Sequence, residues 1–175
     1  MTEGIDLPNI PRGTLLPEGE RIARADAAAP QILAALDGEL EAVAIEATLA
    51  CLLWETFVQT NWCGFYRHTG ARLLTVGPYI GTMGCLRIEF ERGVCGACAR
   101  TGEVQLVDDV HAFPGHIACD LRTQSEVVLP VRDAQGMFRA VFDLDSTHPA
   151  GFSRGEADRI ASILSATLGR PGVRF

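Results

Sequence analysis

The sequence predicts an α+β fold, a sandwich of helices on one central, mostly antiparallel sheet. Three observations predict it. Helix-period segments open the chain, short β-rich runs separated by turn residues fill its middle, and a well-capped helical segment closes it.

The elements follow in order. Residues 1–17 carry Pro8, Pro11 and Pro17 with two glycines and read as an irregular extension lying on or off the domain, which then occupies residues 18–175. A first helix is expected from about Glu18 to Leu36, broken or kinked at Pro30. The second, ELEAVAIEATLACLLWETFVQT, places Leu40, Val43, Ala44, Ala47, Ala50, Cys51 and Trp54 on one 3.6-residue stripe, so Cys51 is expected in the core. WCGFYRH turns at TGA into RLLTVGPYIG, and EVVLPV turns at RDAQG into MFRAVFDLD, giving two hairpins. Between them, GVCGACARTGE suits a short helix ended by Gly102, and VQLVDDVHAFPGHIACD starts as a strand and becomes a long loop. In GFSRGEADRIASILSATLG, Ser153 has the spacing of an N-cap to Glu156 in a capping box.

At 175 residues, 47% of them apolar and 21% charged, the chain fits one globular domain, and no internal repeat is visible. The net charge of −7 and fifteen scattered basic residues, all arginine, argue against a nucleic-acid surface. No apolar run approaches the ~20 residues that span a bilayer, and the N-terminus lacks the basic and apolar regions of a secretory signal. A cytoplasmic protein is expected, without nucleic-acid or membrane partners. In that compartment the six cysteines, at 51, 63, 85, 95, 98 and 119, read as buried, metal-binding or redox-active thiols rather than permanent disulfides.

Several residues could carry chemistry. Cys119 lies in the polar loop HAFPGHIACD, where His111 and His116 would favour its thiolate and Asp120 would oppose it. Cys95 and Cys98 form C-x-x-C, a spacing open to zinc or a dithiol. Zinc would need further ligands from Cys85, Cys119, His111 and His116, and no second close pair accompanies the first. In VFDLDS, Asp143 and Asp145 share one face of a strand, so they either line a polar pocket, where a like-charged neighbour keeps one protonated, or sit at a solvated strand end. Glu126 stands similarly at the mouth of QSEVVLP. Proton-donating acids beside a cysteine nucleophile are what reduction of a polarised S=O group requires.

The segments NWCGFY, CLRI, GVCG, DVHAFPGHIACD, SEVVLPV and DLDS, in this order and spacing, resemble the free methionine-(R)-sulfoxide reductases, single GAF-domain enzymes. The similarity covers roughly residues 35–168, with the three-cysteine set as its most specific element. It implies a GAF-like fold and the thiol-dependent reduction of free L-methionine (R)-S-oxide. The cysteine matching Cys119 attacks the sulfoxide sulfur and is left as a sulfenic acid. The one matching Cys85 condenses with it to a disulfide, and thioredoxin reduces that disulfide. Cys95 matches a third cysteine that assists or substitutes in resolution. Glu126, Asp143 and Asp145 match acids that bind the ammonium group and polarise or protonate the sulfoxide oxygen, and Trp62 and Tyr66 match aromatics that cradle the methyl group. For Tyr66 a plain core position fits as well. The resemblance implies no cofactor or metal, and the family is often dimeric. Cys63 and Cys98 depart from its pattern, as do the long N-terminal extension and LRTQ at 121–124, where Arg122 bears on the loop that closes the pocket. A sensory GAF module without turnover is the alternative, set back because such modules are usually joined to an output domain for which this length leaves no room.

Overall fold

The computed structural model describes residues 4–115 and 120–175. Two helices, α1 (Glu18–Ala35) and α2 (Ala42–Thr56), lead into the hairpin β1 (Thr60–His68) and β2 (Leu73–Gly81). A three-residue strand β3 (Arg87–Glu89), helix α3 (Gly93–Thr101) and a short β4 (Gln105–Val107) follow, then the second hairpin β5 (Ser125–Arg132) and β6 (Phe138–Ser146) and the closing helix α4 (Arg154–Thr167). The strands form one antiparallel sheet in the order β3-β2-β1-β6-β5-β4. Both expected hairpins therefore meet at the centre, where β1 pairs with β6.

Period-two alternation splits each central strand between two interiors. Cys63 and Phe65 of β1, Val127, Leu129 and Val131 of β5, and Phe142 and Leu144 of β6 join the main core with α1, α2 and α4. Phe65 packs on Phe142 with ring centroids 4.7 Å apart. Trp62, Tyr66, Val128 and Val141 face the other way, into a smaller apolar cluster completed by α3. The helices thus cover both faces of the sheet, three on one and one on the other.

Polar bonds fasten the elements. Ser153 Oγ accepts from Glu156 N–H and Glu156 Oε2 accepts from Ser153 N–H, the expected capping box. The same Glu156, fully buried, accepts from Arg21 of α1 at 2.9 and 3.0 Å and from Gln59 at 3.0 Å, so one carboxylate satisfies three elements. Ahead of α1, Pro8 O accepts from Arg24 of that helix, Gly13 N–H donates to Val58 O at 2.7 Å, and Arg12 donates to Trp54 O while stacking 3.8 Å above its ring. Residues 8–13 are therefore laid against the helices, although they form no helix or strand.

Four expectations need correction. Helix α1 runs unbroken through Pro30, because Ala28 and Ile32 around it are buried and their packing holds the helix across one lost hydrogen bond. Helix α2 starts and ends some three to four residues inside its expected limits and turns a different face inward. It buries Ala42, Ile45, Leu49, Leu52 and Leu53, while Val43 is 54% exposed and Cys51 is exposed rather than core. The segment is apolar on nearly every side, so two stripes compete and only the sheet decides between them. Strand β3 was not expected, since three residues between turns give no readable period. Helix α3 ends on Gly102 as expected, in the left-handed region at φ 71. Among the described residues no helix is long and apolar enough to cross a membrane.

Candidate active site

A hollow opens on the α3 side of the sheet. Strand alternation builds its floor. Trp62 and Tyr66 come from β1, Glu126 from β5, and Asp143 and Asp145 from β6, with Trp62 and Glu126 both directly opposite Asp145 in the register. The wall is the first turn of α3, Gly93 to Cys95, which no side chain caps. Gly64, between the two aromatics, allows β2 to come close, since a Cβ there would lie 2.2 Å from Tyr79 Cβ.

The floor concentrates acid where water is scarce. The Cys95 thiol donates to Asp143 Oδ2 at 3.4 Å, and ligand atoms of Cys95, Glu126 and Asp143 all lie within 4.8 Å of one another. Burial raises the proton affinity of Asp143, to a pKa of about 7, and the hydrogen bond from Cys95 offsets this only in part. Glu126 and Asp145 are pushed well above the usual carboxylate range by burial and then by the charge of Asp143. Burial, with the Asp143 charge next, also pushes the Cys95 thiol well up, so Cys95 is held as a thiol. At neutral pH this site holds protons on groups that ordinarily release them.

An aromatic stack borders the acids. Trp62 lies between Tyr66 and Tyr79, with centroids 5.3 and 5.2 Å away and planes within 15° and 14° of parallel. Trp62 is 2% exposed, yet its indole N–H has no partner among the described residues, and neither does Asp143 Oδ1. Two buried polar atoms without partners on one pocket floor mark a place prepared for a polar ligand.

Asp120 closes the remaining side. It accepts from Thr82 Oγ1 at 3.0 Å, from Asn61 at 3.4 Å and from the Arg122 side chain at 2.7 Å, and chiefly through Arg122 its carboxyl is held well below the usual range. The segment leaving the thiol-bearing loop is thereby tied to the β2–β3 connection. Arg122 is bound to Asp120, a pocket residue that the sequence presents only as a neighbour of Cys119.

Of the candidate residues, Cys95, Glu126, Asp143, Asp145, Trp62 and Tyr66 meet in this hollow. Cys85 lies half-buried on the β2–β3 connection and is disulfide-bonded, and the Tyr66 hydroxyl faces its backbone. Cys119 and His116 lie outside the described residues. His111 is exposed on a short 3₁₀ turn with its N–H donated to Asp109. Cys63 and Cys98 are free thiols buried in the two separate cores, so the C-x-x-C spacing sends one sulfur to the acids and the other to packing. Sequence reasoning missed Thr82, Ile88, Val94 and Thr123, which also line the hollow and give no signal beyond their place in the fold.

Fold and site together define a member of the GAF domain family, whose model matches residues 31–169. The chain is 38% identical over 133 residues to the free methionine-R-sulfoxide reductase of Saccharomyces cerevisiae, covering 73% of this chain and 74% of that protein. It is 41% identical over 114 residues to the protein of that name in Escherichia coli, covering 65% and 68%. Among solved structures it resembles the free methionine-R-sulfoxide reductase of Neisseria meningitidis in complex with its substrate, with a TM-score of 0.79 and 35% identity, across 84% of this chain and 87% of that one. By these relatives the chain belongs to the free methionine-R-sulfoxide reductase family.

Proposed function

We propose that this protein reduces free L-methionine (R)-S-oxide to methionine, with residues 18–175 acting as one catalytic unit in the reducing cytoplasm. The observation that carries the proposal is the pocket floor. Three carboxyl groups that favour their protonated forms stand beside an aromatic stack and a thiol in one hollow. A sulfoxide oxygen needs a proton donor as its bond to sulfur breaks, and a carboxylic acid with a pKa of about 7 is suited to giving one.

In this reading the Cys119 thiolate attacks the sulfoxide sulfur. Methionine departs and the oxygen remains on Cys119 as a sulfenic acid. Asp143 supplies the one proton that the sulfenic acid's oxygen keeps, and Glu126 and Asp145, ionised once the ammonium group is seated against them, hold that group. Trp62 and Tyr66 cradle the methyl group, and the indole N–H is left for a substrate oxygen. The uncapped first turn of α3 presents backbone amides to the substrate carboxylate. Cys85 then condenses with the sulfenic acid, releasing water and forming the Cys85–Cys119 disulfide, which thioredoxin reduces. Cys95, a protonated thiol beside Asp143, serves as the reserve resolving thiol.

The test is an assay with both sulfoxide epimers, each free and within a peptide. Turnover of the free R epimer alone is expected, because a pocket that buries both ends of an amino acid leaves no exit for a chain. Cys119→Ser should abolish turnover. Cys85→Ser should complete one stoichiometric turnover at the wild-type rate and then recycle with thioredoxin far more slowly, through Cys95. Binding of the R epimer without turnover in the wild type would overturn the proposal in favour of a sensory role.

A further inference from the structure

Nine large apolar side chains of the described residues are exposed, and the three most exposed stand around the disulfide-bonded Cys85 or on the segment tied to it. They are Leu121 at 85%, Met83 at 73% and Leu86 at 62%. Met83 and Leu86 flank Cys85 on the β2–β3 connection. Leu121 follows Asp120, whose carboxylate accepts from Thr82 on that same connection at 3.0 Å. Exposed apolar side chains each cost hydration free energy, and a concentration of them on the outer side of a pocket marks a surface that is intermittently covered. None of the three reaches the main core, and Leu86 and Leu121 do not line the hollow, so neither fold stability nor substrate contact accounts for those two.

We infer that Leu86 and Leu121, with Met83 between them and the pocket, form the docking surface for a protein dithiol that reduces the disulfide at Cys85. This inference rests on the reading that the disulfide forms once in each turnover. What selects this occupant over a second copy of the chain is the position of Cys85. A reductant must bring a thiolate to that half-buried sulfur, and Leu86 is its immediate neighbour. Arg87, exposed beside Leu86, borders the surface and favours a partner that is acidic around its thiols. The exchange balances. One partner thiolate attacks Cys85 Sγ, and the enzyme's disulfide breaks with the other cysteine leaving as thiolate. A mixed disulfide holds the two proteins together, and the second partner thiol then attacks it, releasing reduced Cys85 and an oxidised partner. Two electrons pass from the dithiol to the enzyme.

The test compares two reductants on full-length enzyme carrying Leu86→Ser, Leu121→Ser or both. With dithiothreitol, which needs no docking surface, the rate should stay within about twofold of wild type. With thioredoxin, each single variant should raise KM for thioredoxin severalfold and the pair about tenfold or more, the scale of losing anchors from a small interface, with kcat little changed. Val43→Ser, at another exposed apolar site, on α2, should leave both rates alone. A double variant with wild-type KM for thioredoxin overturns the inference, as does one that loses dithiothreitol-driven turnover in parallel. An absence of activity with dithiothreitol in the wild type would instead defeat the proposed function.

Discussion

The two faces of the sheet use the same strands for opposite ends. On the face covered by α1, α2 and α4, β6 contributes Phe142 and Leu144 to a dry core. On the α3 face it contributes Val141 and then Asp143 and Asp145 to a hollow lined by acids. A buried carboxylate occurs on each side. Glu46 of α2 has neither oxygen hydrogen-bonded, with Arg67 Nε 3.4 Å away, and burial raises its pKa to about 7. Asp143 reaches a similar value, yet it has a thiol donor on one oxygen and a free second oxygen facing a cavity. Similar proton affinity thus arises in both places from burial, and only the one beside a hollow can act on a ligand. Proton affinity alone does not identify a site; access does.

Four changes would sharpen or break this contrast. Phe142→Ala removes a fully buried ring from the dry face and should destabilise the fold by about 3–5 kcal/mol in denaturant titration, without changing KM for the sulfoxide in the folded fraction. Asp143→Asn should do the reverse, lowering kcat by about 10²–10³-fold, the scale of losing a positioned acid. It should also make the protein more stable at pH 8, since the buried charge is gone. A parallel loss of stability and activity in both variants would erase the distinction between the faces.

Glu46→Gln tests the closed-face carboxylate. The folded chain holds the Glu46 proton more tightly than the unfolded chain, so its contribution is fully present below pH about 4.5 and lost as the pH rises through about 7. The variant should gain about 1–2 kcal/mol at pH 8, show a flatter thermal midpoint between pH 5 and 8, and turn over substrate normally. The smallest effect is expected of Ser153→Ala, which removes a cap and should cost about 1 kcal/mol without touching either face's chemistry.

Much of this was legible in the sequence where a local rule acts alone. The capping box, the Gly102 stop and both hairpins depend on neighbours within a few residues, and all appear as read. The acids were legible because period two leaves no choice once β6 is a strand. The inward face of α2 was not, since a helix apolar all round is oriented by the sheet beneath it. Asp120 was hidden for a related reason, because its partners Thr82 and Asn61 are 38 and 59 residues away in the chain.

The alternation in VFDLDS has a consequence for assembly of the sheet itself. A slip of β6 by one residue against β1 would exchange its two sides, driving two carboxylates into the dry core beside Phe65 and sending Phe142 and Leu144 into the hollow. Few errors of pairing are so heavily penalised. The energetic cost of that slip falls largely on Asp143 and Asp145, so a variant that neutralises both should tolerate mispaired strands that the native chain rejects.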